Sequence, residues 1–242
     1  MKFLLTFFCF FSCFTLFAEQ LPTLIDFNRE QPTWDMTPYK RTLSDPEHQA
    51  FNYATEIGAF IEYLMDIFSI DTLVETGTYE GRTTAFFSML GKQVHTIEVV
   101  QEIYEKTKDS LKDRSNITCY LGSSEKVLKD LLPSLQSKPL LFYLDAHWYD
   151  NWPLLHELEE ISKTHYDNCI IVIDDFKVPG RKDIPYDKYK KQECSIDYIY
   201  SHLQKLFSEY TIHFVIPKNL KCRAKFVAYP KKWVSITTHQ SN

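Results

Sequence analysis

Two groups of ionisable side chains stand directly behind apolar runs of this 242-residue chain. Asp145-Ala146-His147 follows 140–144, and Asp174-Asp175 follows 169–173. Carboxylates gathered at one rim repel one another unless a proton or a cation lies among them. A hard divalent ion with oxygen ligands, Mg2+ above all, suits three such groups. An ion of that kind binds a substrate hydroxyl, lowers its pKa and orients the oxygen. His147 adds an imidazole able to take the hydroxyl proton or to act as a further ligand. A second reading needs no ion: Asp145 alone serves as base or substrate contact, while Asp174 and Asp175 cap the loop that follows.

Further upstream, the run Val74-Glu75-Thr76-Gly77-Thr78-Tyr79-Glu80-Gly81 leads from an apolar stretch into a helical pattern. Gly77 and Gly81 permit a tight turn and close approach of the backbone to a ligand. Glu98 ends the next apolar stretch, about twenty residues beyond the glycines, where a carboxylate can accept hydrogen bonds from both hydroxyls of a ribose. Taken singly, such glycines are ordinary turns and such an acid is ordinarily solvated. Together they read as a nucleoside site. The spacing Gly-x-x-x-Gly departs from the Gly-x-Gly-x-x-Gly of nicotinamide enzymes.

These residues need a scaffold that brings several strand ends to one edge. Stretches 72–75, 93–98, 117–121, 140–144 and 169–173 are strand-like, and helical patterns occupy 82–90, 101–111, 124–132 and 153–163. Strands apolar on both faces and separated by helices imply a parallel sheet covered on each side, a doubly wound α/β fold of Rossmann-like kind. In such sheets ligands bind outside the carboxyl ends of the strands, where all the residues named above fall. A helix with Ser44 as N-cap precedes them, with Ala50, Ala54, Ile57, Phe60, Ile61, Leu64 and Ile67 on its buried face. After a helix at 195–207, strands at 210–216 and 224–229 are joined by a turn at 217–219. So short a connection makes the terminal pair antiparallel, which leaves one reversed strand near the edge of a mostly parallel sheet.

Order and spacing together make residues 70–176 resemble a class I S-adenosylmethionine-dependent methyltransferase. The resemblance implies that Glu75, Thr76, Gly77, Thr78, Tyr79 and Gly81 hold the amino-acid part of S-adenosylmethionine, and that Glu98 holds its ribose. Gly122-Ser123-Ser124 is similar to the segment that lies against the adenine, with Ser where the family commonly has Asp. The acidic rim resembles that of catechol-type and macrolide-sugar O-methyltransferases, which implies Asp145, Asp174 and Asp175 as metal ligands. Asp145 and His147 are the catalytic candidates. The base in those families is often a lysine near the metal, and Lys177 stands close to Asp175 in sequence. The function implied is O-methylation of a small hydroxylated acceptor, a sugar or a phenol. A cephalosporin hydroxylase-like enzyme on the same core, or an exported binding protein that reuses the fold without turnover, are the alternatives.

The rest of the chain sets limits. A net charge of −5 argues against nucleic acid as partner, since phosphate binding depends on concentrated Lys and Arg. Lys2, the apolar run from Phe3 to Phe17 and Ala18 read as an export signal over 1–18 cleaved before Glu19, or as a retained membrane anchor. Export leaves the protein periplasmic or outside the cell, away from the compartment that makes S-adenosylmethionine; retention leaves it anchored or cytoplasmic. Residues 19–43 read as an arm containing Trp34 and Tyr39, and 44–242 as the catalytic domain. Cys194 and Cys222 are a candidate disulfide in an oxidising compartment. His156-Glu157 opens like a zinc-protease helix, but Glu160 replaces the second His. The polar loop 177–193, with its basic run Lys188-Tyr189-Lys190-Lys191, reads as solvated or as a substrate lid.

Overall fold

Alternation along the central strands generates the layers of the molecule. In β5 (Leu140–Leu144), Leu140, Phe142 and Leu144 enter one apolar cluster, and Leu141 and Tyr143 enter another. In β6 (Cys169–Ile173), Cys169, Ile171 and Ile173 join the first cluster, while Ile170 and Val172 join the second. Because successive side chains point to opposite faces, both faces of these strands must be covered. Helices α5 (Ser124–Leu135), α6 (Leu154–Thr164) and α7 (Ile196–Leu206) supply the first cover, and α2 (Thr55–Ile67) and α3 (Arg82–Met89) the second. Each large apolar side chain so buried contributes roughly 1.5–3 kcal/mol.

The computed structural model describes residues 23–28, 45–147 and 152–237. Residues 1–18, the arm residues Trp34 and Tyr39, and the cap Ser44 lie outside the described residues. Among the described residues, no helix is long and apolar enough to cross a membrane.

Among the described residues the main sheet has eight strands in the order β1-β9-β10-β6-β5-β2-β3-β4. Its remaining members are β1 (Thr23–Asp26), β2 (Thr72–Thr76), β3 (Gln93–Glu98), β4 (Ile117–Leu121), β9 (Tyr210–Ile216) and β10 (Lys225–Pro230). Pairing is parallel throughout β4-β3-β2-β5-β6, and β10 runs antiparallel to both β6 and β9. The mostly parallel sheet with a terminal antiparallel pair is therefore as the sequence implies. From β2 the chain moves outward through β3, α4 (Gln101–Ser110) and β4, then returns to the other side of β2 as β5. That reversal opens a crevice between the ends of β2 and β5, the switch point at which α/β sheets bind ligands.

Five local features differ from expectation. Thr23–Asp26 is a strand paired in parallel with β9, so part of the expected arm belongs to the sheet. The helix expected to run unbroken to Ile67 is interrupted: α1 covers Asp45–His48, and Phe51, Asn52 and Tyr53 all have positive φ. That turn drives the Phe51 ring into edge contact with Phe86, Phe87 and Tyr143, at centroid distances of 5.3, 5.6 and 5.7 Å. Loop 177–193 carries a short hairpin of β7 (Lys188–Tyr189) and β8 (Gln192–Glu193), and α8 (Lys231–Thr237) follows β10 directly. Cys194 and Cys222 are free thiols. Sγ of Cys222 donates to Asn52 O at 3.1 Å, and Cys194 is buried facing Asp174 O.

Candidate active site

A cleft of about 450 Å³ lies over the ends of β2, β3 and β5. Its floor depends on Gly77, whose φ is +84° and whose Cβ position is 2.7 Å from Asp145 O. Any side chain there would collide with the backbone at the end of β5, so only glycine lets the two strand ends approach. Gly77 N–H and Thr78 N–H both donate to Ile97 O, at 2.9 and 3.2 Å, which fixes the loop against β3. Ile97, Val99 and Ile103 form apolar walls around the carboxylate of Glu98. That carboxylate is held by backbone amides on both oxygens: Tyr79 N–H donates to Oε2 at 2.9 Å and Val100 N–H to Oε1 at 2.9 Å. Each oxygen keeps a second lone pair for a ligand hydroxyl. Gly122, Ser123 and Ser124 close the far wall, and Asp145, Ala146 and His147 the near one.

Not every loop residue faces the cleft. Glu75 is buried beneath the loop, where its Oε2 accepts from Thr84 Oγ1 at 2.5 Å and Thr96 Oγ1 at 2.7 Å. Thr78 Oγ1 in turn pairs with Thr96 Oγ1 at 2.6 Å. Burial pushes the Glu75 carboxyl up to about 7 against the pull of those hydroxyls. Glu75 and Thr78 thus brace the loop from below, and neither they nor Thr76 is among the residues lining the cleft. Gly81, at φ +70°, leaves a Cβ position only 2.6 Å from Thr107 Cγ2 and 3.1 Å from Leu111 Cδ1, and lines a neighbouring groove.

Beside the cleft, the ends of β5 and β6 assemble the acidic rim. Asp145 N–H donates to Thr76 O at 3.1 Å and Asp174 N–H to Leu144 O at 3.0 Å, so the three strand tips are tied in register. Ligand-capable atoms of Asp145, His147 and Asp175 all lie within 4.8 Å of one another. Asp174, expected to be a third carboxylate ligand, points elsewhere. Its Oδ1 accepts from Lys225 Nζ and from Asp175 N–H, the latter at 2.5 Å, and its Oδ2 accepts from Tyr143 OH at 2.5 Å. Burial opposes ionisation of Asp174, but the Lys225 ammonium and these hydrogen bonds outweigh it and hold the group below the ordinary carboxylate range. Asp175 sits at φ +55°, and burial with the charge of Asp174 pushes it up to about 8. Burial and the neighbouring Asp174 and Asp175 likewise raise Asp145 well above its ordinary value.

The loop 177–193 is folded onto this rim. Asp187 N–H donates to Asp175 O at 2.9 Å, Cys194 N–H to Asp187 O at 2.9 Å, and Lys177 N–H to Cys194 O at 2.7 Å. Arg223 bridges the Asp175 and Asp187 carboxylates, and Tyr189 OH donates to Asp187 Oδ2 at 2.9 Å. Lys177, the sequence candidate for a base, instead pairs with Glu193. The lysine that enters the cluster is Lys225, fully buried on β10. One signal marked it beforehand: it is a lone cation at the head of an otherwise apolar strand, and a lysine is almost never fully buried without a partner. Asp187, Arg223 and Tyr143 carried no comparable signal.

No family model and no curated protein sequence matches the chain. Solved structures do. The O-methyltransferase TomG of Streptomyces achromogenes, involved in tomaymycin synthesis and in complex with S-adenosylmethionine, superposes with a TM-score of 0.53 at 12% identity, over 78% of this chain and 90% of that one. An O-methyltransferase of Bacillus cereus in complex with S-adenosylhomocysteine gives 0.52 at 16% identity, over 72% and 80%. A Podospora anserina methyltransferase bound to S-adenosylhomocysteine gives 0.51 at 12%, over 80% and 91%. With its strand order, reversed β10 and crevice at the β2–β5 switch point, the chain has the class I methyltransferase fold.

Proposed function

We propose that the protein is an S-adenosylmethionine-dependent O-methyltransferase acting on a small hydroxylated acceptor with the help of a divalent cation. One observation carries this reading: Asp145, Ala146 and His147 line both the 450 Å³ cleft and the small acidic cavity behind it. A methyl donor in the cleft and a hydroxyl at the acidic rim would be separated by that wall alone. The cleft fits a nucleoside, with a two-oxygen acceptor at Glu98, apolar walls beside it and a glycine floor that leaves no room for a Cβ. The rim fits a cation, since its carboxylates outnumber Lys225 and Arg223.

S-Adenosylmethionine supplies an electrophilic methyl carbon, and a divalent ion lowers the pKa of an acceptor hydroxyl. The chain's own residues position both partners. Glu98, anchored by two amides, fixes the ribose; the Gly77 turn sets the depth of the cleft; Asp145 and His147 hold the acceptor oxygen side and receive its proton. Because methyl transfer is an in-line displacement, such positioning supplies much of the rate. Purified protein given S-adenosylmethionine, Mn2+ or Mg2+ and a panel of phenols and sugars should form S-adenosylhomocysteine. Glu98→Gln should weaken cofactor binding about tenfold, the equivalent of one good hydrogen bond at roughly 1.4 kcal/mol. Asp145→Ala should abolish transfer while calorimetry still detects the cofactor. Undiminished turnover in Asp145→Ala would remove the basis of the assignment.

A further inference from the structure

Loop 177–193 changes character along its length. Its first part is anchored, with Val178 and Ile184 buried in the apolar cluster that β5 and β6 also enter. Cys194 is buried just past its far end. Between Ile184 and Cys194, none of residues 185–193 is buried, so little apolar burial seats the hairpin of β7 and β8. Segments with few buried apolar contacts are the first to open.

A charge bridge holds this hairpin down. Arg223 Nη1 donates both to Asp175 Oδ2 at the end of β6 and to Asp187 Oδ1 on the loop. A single guanidinium nitrogen thus stands between two carboxylates that repel each other without it. The Arg223 side chain is 39% exposed, within reach of dissolved salt. Tyr189 completes the cover: its OH donates to Asp187 Oδ2, and its ring lies 5.7 Å from His147 and 5.2 Å from Trp152. Beneath the hairpin, Asp145, His147, Asp175, Asp187 and Cys194 line a cavity of about 10 Å³. That is room for about one water, and no acceptor molecule fits it while the hairpin stays down.

We propose that residues 185–193 form a lid over the acidic rim, hinged at Ile184 and Cys194 and latched by Arg223, which must release Asp175 or Asp187 before an acceptor can reach the rim from this side. The inference goes beyond the transferase reading and rests on it only for the rim as the place where an acceptor binds. The latch is ionic, so salt loosens it; the hinges are apolar and stay seated.

Cys194 reports the opening, because its thiol lines the covered cavity and the residue is 1% exposed. Cys169, inside β6 and 0% exposed, stays shielded whether the lid is up or down. The full chain is treated with iodoacetamide under native conditions, and labelling is followed peptide by peptide in a mass spectrometer. In wild type, raising KCl from about 0.05 to 0.5 M should speed Cys194 labelling about threefold, since salt screens a partly exposed bridge. Arg223→Met should label Cys194 about fivefold faster at low salt, as the loss of one partly exposed ion pair allows, and should no longer respond to KCl. Cys169 should change in neither case. Equal Cys194 rates in wild type and Arg223→Met, a wild type indifferent to KCl, or Cys169 rising in step with Cys194 would overturn the lid. Calorimetry with S-adenosylhomocysteine on the same samples separates the two readings. Salt-released labelling in a protein that does not bind it would support the lid and end the transferase assignment; binding beside a salt-indifferent Cys194 would end the lid and leave the transferase assignment standing.

Discussion

A carboxyl group buried without a counter-charge keeps its proton, and two such groups flank the cleft. Burial pushes Glu75 and Glu157 from 4.5 up to about 7. Between those values the folded chain retains protons that the unfolded chain has released, so each group subtracts stability as pH rises through the window. The loss is on the order of 3 kcal/mol per group at roughly 1.4 kcal/mol per pH unit. Glu75→Gln keeps an acceptor for Thr84 and Thr96 but has no charge to bury. Its unfolding free energy should match wild type near pH 5 and exceed it by about 1–3 kcal/mol at pH 8, read from urea midpoints. A variant less stable than wild type at pH 8 would contradict the assignment. The comparison must be made between variant and wild type, because burial holds His213 down to about 4. Wild type therefore gains stability from that residue as pH rises from about 4 to 6.5, which runs against the slope from the glutamates.

At the level of elements, the decisive contact is β10 against β6. Register pairs Phe226 with Ile173, and this brings Lys225 to Asp174 at the end of β6. Removing one partner of such a buried pair typically costs about 3–5 kcal/mol, because the other charge stays behind. Lys225→Met should therefore lower the unfolding free energy by that amount in denaturant titration. Adding Asp174→Asn should restore at least half of it, since the side-chain carbonyl still accepts from the Asp175 amide and the NH2 can donate to the Tyr143 hydroxyl; a double variant no better than the single would show that the pair is not coupled. The strands themselves were legible in the sequence, because continuous apolar runs between turn signals mark parallel strands. What the sequence did not disclose was which way the acids at their ends would face. Adjacent Asp174 and Asp175 look equivalent in a string of letters, and only the arrival of Lys225 and Arg223 some fifty residues later divides them, Lys225 taking Asp174 and Arg223 taking Asp175. The helix break at Phe51 was hidden for a similar reason: helical spacing of apolar residues continues through it, and the aromatic pocket of Phe86, Phe87 and Tyr143 overrides local preference.

Across the whole molecule, the topology does the gathering. Gly77, Glu98 and Asp145 come from stretches up to 68 positions apart in the sequence, yet they line one cleft because the chain reverses direction in the sheet between β2 and β5. That convergence was readable from strand order alone. The contribution of loop 177–193 was not, since Asp187 reaches the rim through backbone bonds to Asp175 and Cys194 and through the Arg223 bridge to the Asp175 carboxylate. The account's central claim is that a sulfonium nucleoside and a hydroxyl-binding cation occupy adjoining pockets on either side of Asp145–His147. A crystal grown with S-adenosylhomocysteine and Mn2+, read by anomalous diffraction, tests it most directly. We predict ribose hydroxyls on Glu98, the cofactor sulfur facing the rim, and a manganese peak among Asp145, His147 and Asp175. A nucleoside bound away from Glu98, or manganese outside that trio, would contradict it.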